Sequence, residues 1–250
     1  MLENSFIRFY GTKQESCGFV KPISTGENFI IYPVVLASNH AIHLYDIDGN
    51  NWDSILSTRR INIDSINFIY LCDIVDDADE LPDANTCMYV QYDYSYVAGA
   101  VYHRYSNTLV YMSDTEGLSM VEYRCNEDAF GFPFTSINTY LVSWLPINIK
   151  NPQLKQEDKT YVKRDGEVVV LMAKYYKEWE AESEYIPEGI HDRIVAALSC
   201  DYVYINGVRM TKSDSYQIDW DNTIKKACGQ KLAKATWKMR ANVTERNSNC

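Results

Sequence analysis

The stretch 225-KKACGQKLAKATWKMR-240 decides how the last third of this 250-residue chain is read. Its charge sets it apart. The chain carries a net charge of −10, yet residues 221–250 hold 7 bases against 2 acids. Residues 1–150 hold 19 acids and 8 bases, and residues 151–220 hold 13 acids and 9 bases. Ile224, Cys228, Leu232, Ala235 and Met239 recur at helical spacing and make one apolar seam. Lys231, Lys234 and Lys238 form a stripe beside it, which suits a solvated face, an acidic surface of another copy or another protein, or nucleic acid. The spacing predicts a basic helix from Asp219 or Asp221 to about Val243.

Working back from that helix, 187-PEGIHDRIVAALSCDYVYING-207 reads as a second helix, with Pro187 at its start and Gly207 at its end. 168-VVVLMAKYYKEWEAESEY-185 reads as a third, with Val168, Met172, Tyr175 and Trp179 on one face. Its three valines leave a β start open. The polar run 148-NIKNPQLKQEDKT-160 reads as a linker or long loop.

The first part reads as β. In 90-VQYDYSY-96, Val90, Tyr92, Tyr94 and Tyr96 fall on one face by strict alternation. Further candidate strands are 29–37, 41–45, 100–105, 108–112 and 120–125, separated by the turn signals 48-DGNN-51, Ser106–Asn107 and 115-TEG-117. 137-INTYLVSWLP-146 reads as a last strand stopped by Pro146. The expected class is α+β: an antiparallel sandwich or barrel over residues 1–147, a linker over 148–165, and a helical region with its basic helix over 166–250.

Apolar residues make up 46% of the chain, and the aromatic content is led by 20 Tyr beside 8 Phe and 5 Trp. Tyrosine couples a large apolar ring to a hydrogen-bonding tip, which suits half-buried surfaces and interfaces. No signal peptide is read at the start. The longest apolar run, Phe29–Ala37, is half of a membrane span and contains Pro33, so a soluble protein with no membrane partner is expected. The seven cysteines are odd in number and widely spaced, with no CxxC pair, so free thiols are expected rather than a disulfide framework or zinc site.

The sites weighed are few. 46-DIDGNNWD-53 places Gly49 and Ser57 wrongly for a calcium loop, so a polar turn is expected. Asp73, Asp76, Asp77, Asp79, Glu80 and Asp83 place six carboxylates in eleven residues, which suits a solvated loop, a cation or a basic partner. His40 and His43, three apart on a strand, point to opposite faces rather than to one metal. No GxSxG, HExxH, P-loop or GxGxxG pattern occurs. No enzyme, cofactor or metal is expected. The candidate interface is Lys231, Lys234 and Lys238 on one side and Asp76, Asp77, Asp79 and Glu80 on the other.

The Asn-, Asp-, Ile- and Tyr-heavy composition, with Tyr176–Val208 and the basic C-terminal helix after it, resembles virion proteins of crAss-like tailed phages. More narrowly it resembles the ring or collar proteins stacked between portal and tail. The resemblance implies a structural subunit in a homo-oligomeric ring, a dodecamer, around the DNA channel. It implies virion location after synthesis in the bacterial host cytoplasm. Portal, adjacent rings or tail proteins would be neighbours, and DNA would pass without specific binding. The alternatives are a head fibre, a capsid auxiliary or cargo protein, or a soluble enzyme assembled without local motifs.

Overall fold

A computed structural model describes residues 9–10, 21–34, 37–76, 81–96, 99–220, 226–227 and 230–247. Nine strands come first: β1 (Phe9–Tyr10), β2 (Lys21–Ile23), β3 (Asn28–Ile31), β4 (Asn39–Asp46), β5 (Leu56–Asn62), β6 (Phe68–Ile74), β7 (Cys87–Ser95), β8 (Val101–Ser106) and β9 (Leu109–Tyr111). They make two sheets. In one, β7 is flanked by β4 on one side and by β8 and β9 on the other, with β1 on β8 and β2 parallel to β9. In the other, β6 lies between β3 and β5.

The β3–β6–β5 sheet is the middle layer of the molecule. Cys72 and Ile74 join Met88, Val90 and Tyr92 of β7 in one core. Ile30, Ile69 and Leu71 join a second core on the opposite side. A strand buried on both faces reads as a near-continuous apolar run, which is what 68-FIYLCDI-74 is.

The second core is closed by β10 (Ser119–Arg124), α1 (Phe134–Ile137), β11 (Leu141–Leu145), β12 (Ile147–Ile149), β13 (Gln153–Val162), β14 (Val168–Ser183), β15 (Ile186–Pro187), α2 (Glu188–Leu198), β16 (Tyr202–Ile205), β17 (Val208–Arg209), β18 (Thr211–Lys212), β19 (Gln217–Asp219), β20 (Lys226–Ala227) and β21 (Gln230–Asn247). β10 sits between β11 and β16. β14 runs antiparallel to β12 and β13 on one side and to β21 on the other.

The expected α+β class is therefore wrong. The C-terminal third is mainly β, and the segments read as the first and third helices are the long strands β14 and β21. The run read as a linker is β12 and β13. The middle helix stops at Leu198, and 202-YVYI-205 becomes β16. The physical reason lies in a second period within the same residues. In β21, Ala233, Ala235, Trp237 and Met239 are buried, while Thr236 and Lys238 between them are exposed. That is the alternation of a half-buried strand. Alanine and lysine make the stretch locally compatible with helix, but burying Trp237 and Met239 against a paired sheet overrides that preference.

Candidate functional site

The pairing of β14 with β21 explains the basic tail. Glu178 lies opposite Arg240, Glu180 opposite Lys238, and Glu182 opposite Thr236. Directly opposed residues share a face, so the outer face of this strand pair alternates acid against base. Lys150 Nζ, just beyond β12, is 2.5 Å from Glu180 Oε1 and 3.7 Å from Glu182 Oε2. Lys234 Nζ lies 3.8 Å from Glu182 Oε1 and 3.5 Å from Glu184 Oε2. Arg240 Nη1 is 3.4 Å from Glu157 Oε1, and its guanidinium stands 4.1 Å from the centre of the Tyr176 ring. Tyr176 donates its hydroxyl proton to Glu157 Oε1 at 2.8 Å. The hydrogen bond from Lys150 and its charge, with Lys238 adding to them, hold the Glu180 carboxyl below its ordinary pKa.

Exposed pairs of this kind contribute little singly, about 0–1 kcal/mol. Their row fixes register, because a one-residue slip of β21 would turn Trp237 outward. Of the predicted stripe, Lys234 is engaged by carboxylates of its own chain and Lys238 faces one. Lys231 is described in its backbone alone, opposite Lys226. Of the acidic cluster, Asp76 is exposed, while Asp77, Asp79 and Glu80 lie outside the described residues. Asp73 sits half-buried in β6 beside β5 and β3 rather than in the loop. Among the described residues no ion pair joins Asp76 to Lys234 or Lys238 within the chain.

Two surfaces that the sequence reading missed stand out. The first is an arm. β13 is exposed along nearly its whole length, and successive residues of a strand point to opposite faces. Both faces of β13 are therefore open, and the strand projects from the body together with the first half of β14. Leu154 is 73% exposed, Val168 60% and Val162 59%. The register places these three with Tyr175 on one face. Farther along β14, Trp179 and Ala181 occupy the same register and pack into the core.

The second surface is a pair of hairpin tips. Between β5 and β6 the Asp64 carboxylate accepts from the Ile66 and Asn67 amides at 2.7 and 2.6 Å and from Asn67 Nδ2 at 2.7 Å. This closed turn presents Ile66, which is 69% exposed. The β7–β8 hairpin presents Tyr96, Val101 and Tyr102. An aromatic chain ties the tips together. His40 packs on Phe68 at 5.4 Å and bonds the Tyr92 hydroxyl at 2.7 Å, Tyr92 stacks on Tyr94 at 5.6 Å, and Tyr94 stacks on Tyr102 at 5.5 Å. Arg60 lies 3.8 Å over the Phe68 ring and Arg104 5.7 Å over that of Tyr94. The signal available in the sequence was the tyrosine alternation over 90–96. It located a strand face but not the second hairpin beside it.

Chemistry-bearing groups elsewhere are absorbed by structure. The Asp46 carboxylate accepts from the Asn50 amide at 2.8 Å, Asn50 Nδ2 at 2.8 Å and Trp52 Nε1 at 3.1 Å, which makes 46–53 a self-satisfied turn. His40 and His43 face opposite sides of β4, His43 pairing with Asp53 at 2.8 Å. His191 is sealed between α2 and β21, its Nδ1 2.7 Å from the Tyr216 hydroxyl and its Nε2 3.0 Å from the Ala233 carbonyl. Cys72, Cys87, Cys125 and Cys200 are free thiols. Among the described residues no group of three His, Cys, Asp or Glu side chains is placed to hold a metal. No helix among them is long and apolar enough to cross a membrane.

Comparison with protein-family profiles, with curated proteins and with solved structures finds no match.

Proposed function

We propose that this protein is a structural, non-catalytic subunit of a tailed-phage virion, assembled with copies of itself in a ring of the portal–tail collar through which DNA passes. The observation that carries the reading is the arm. A strand such as β13 with both faces in water adds little to the stability of the chain that bears it, and with the start of β14 it leaves Leu154, Val162 and Val168 in solvent. Exposed apolar surface of that kind marks an interaction site.

Two further features support the reading. The stretch that carries the resemblance to ring and collar proteins, Tyr176–Val208, includes the acidic side of the ladder. The ladder also matches the basic residues Lys234, Lys238 and Arg240 with carboxylates of the same chain, so the tail is a poor match for phosphate. That suits a wall past which DNA slides. The neighbours in the particle would be portal, adjacent rings or tail proteins.

The test is the mass of the purified chain across a concentration series, by sedimentation and negative-stain microscopy. The reading expects concentration-dependent assembly and ring-shaped particles of constant subunit number. A chain that stays monomeric at every concentration overturns it.

A further inference from the structure

We propose that Cys125 and Cys200 form a redox-sensitive latch, two free thiols in a reducing medium and an intrachain disulfide once a small-molecule disulfide such as oxidised glutathione is present. The inference goes beyond the ring reading and does not depend on it.

The two residues are far apart in sequence and together in the fold. Arg124 lies opposite Tyr202 where β10 pairs with β16. Beyond that pair the two segments stay together, because the Asn126 amide donates to Asp201 Oδ2 at 2.8 Å. Continuing the register puts Asp201 opposite Cys125, with Cys200 next to it. Cys125 is buried in the second core, to which α2 contributes Ile190, Ile194, Ala197 and Leu198. Cys200 follows the last turn of α2. Its amide donates to the Ala197 carbonyl at 3.1 Å and its thiol to the Ala196 carbonyl at 3.6 Å. It is half-buried and packs on the same core. The two thiols interact directly. Opposed residues of an antiparallel pair have Cα atoms about 4.5–5.5 Å apart, and a disulfide spans roughly 4.4–6.8 Å between Cα atoms. Bonding these two sulfurs therefore asks only for a local adjustment of the turn after α2.

Exposure orders the steps. Cys125 is 6% exposed, so Cys200 is the thiol that a small molecule reaches. The Cys200 thiolate attacks one sulfur of glutathione disulfide, forming a protein–glutathione disulfide and releasing a glutathione thiolate. The Cys125 thiolate then attacks Cys200 Sγ, the bond between the two cysteines forms, and the second glutathione thiolate leaves. The protein gives up two electrons and two protons, and two molecules of glutathione carry them away. Burial, and then the bond with Cys125, push the Cys200 thiol above its ordinary pKa. Thiolate is therefore scarce at neutral pH, and latching should quicken as pH rises. Once closed, the bond ties the end of α2 to β10. The chain between them carries α1, β11 to β15 and α2. Closing so long a loop restricts the unfolded chain far more than the folded one, so the latched protein should melt at a higher temperature.

The test exposes the folded chain to oxidised glutathione at mildly alkaline pH, alkylates the remaining thiols in denaturant, and reads a peptide map without reductant by mass spectrometry. The expected result is a cross-linked peptide joining Cys125 to Cys200, with neither left free or bearing glutathione. The thermal midpoint should rise above that of Cys200→Ser treated in the same way, and dithiothreitol should reverse the rise. Cys125→Ala should instead retain glutathione on Cys200, because the second step has lost its nucleophile. A wild type in which Cys125 and Cys200 both stay free overturns the inference. So does one that holds glutathione on Cys200 without passing the bond to Cys125, or that forms the cross-link only when oxidised in denaturant. Each of these results leaves the ring reading, which rests on the arm, where it stood.

Discussion

Lys21 Nζ lies 2.6 Å from Glu27 Oε1, and both side chains are sealed from solvent. Lys21 also donates to the Trp144 carbonyl at 2.8 Å, and Ser143 donates its hydroxyl proton to the same Glu27 oxygen at 2.9 Å. The pair thus ties β2 and the turn before β3 to β11, joining the layers of the molecule. Burial pushes the lysine pKa down and the glutamate pKa up, while each partner's charge opposes that drift in the other.

Lys21→Met should strand the glutamate in the interior and cost about 3–5 kcal/mol. The double change Lys21→Met/Glu27→Leu should recover most of that loss, because an apolar pair of similar volume replaces a costly ionic one. Urea denaturation of the two variants beside the wild type decides it. Equal losses in the single and double variants would show that the ion pair itself holds the layers together.

His191 predicts a pH dependence. Burial holds its pKa below the ordinary histidine value, although the carbonyls of Ala233 and Ile186 and the charges of Asp192 and Glu188 pull upward. The unfolded chain therefore takes up the proton first. Stability should be full above the ordinary histidine pKa of about 6.5 and should fall below it, by up to about 1.4 kcal/mol per pH unit, until the folded pKa is reached. His191→Gln keeps a donor toward the Ala233 carbonyl. It should lower stability at neutral pH yet flatten the slope between pH 7 and 5, read from urea midpoints at both. An unchanged slope would assign the acid sensitivity to other groups.

The charge ladder predicts a rescue. Lys238→Glu places a like charge opposite Glu180 and should lower the thermal midpoint slightly, by an amount on the order of 1 kcal/mol or less. Adding Glu180→Lys removes that repulsion but sets a lysine beside Lys150, so it should restore only part of the loss, and the difference between the variants should shrink at high salt. A single variant as stable as the wild type at low salt would show that the ladder does not contribute to the sheet.

Duplex DNA provides a separate check on the tail. With Lys234, Lys238 and Arg240 set against carboxylates, fluorescence anisotropy at physiological salt should show no saturable binding in the micromolar range. Salt-sensitive binding lost on neutralising Lys234 and Lys238 would make β21 a nucleic-acid surface.

What was legible in the sequence follows from where a single period competes with none. Alternation over Val90–Tyr96 marks β7, which ends one residue earlier at Ser95, and His40 and His43 diverge across β4 as their spacing requires. β6 was hidden because a strand buried on both sides loses its alternation, leaving 68-FIYLCDI-74 as a bare apolar run. In 225–240 two periods coexist. Ala235 and Met239 satisfy both the helical seam and the strand face, and the tie is broken by Glu178, Glu180 and Glu182, some sixty residues earlier. No local window contains that information. The acid row on β14 has the same spacing as the base row on β21, and comparing the two was the available signal. The arm and the tips were illegible for another reason: exposure of an apolar side chain depends on which layers are missing above it.

The clasp made by β21 also bears on how the chain comes into being. Trp237 and Met239 fill the second core, yet they follow in the chain every other strand they help to close. During synthesis from the N-terminus, the first core has all its strands by Tyr111 and can form early. The second must wait, with β14 and α2 already emerged and their apolar faces uncovered, until β21 leaves the ribosome. A chain stopped short of Gln230 lacks Trp237 and Met239 and leaves the second core open, with apolar side chains exposed of the kind that chaperones and proteases recognise.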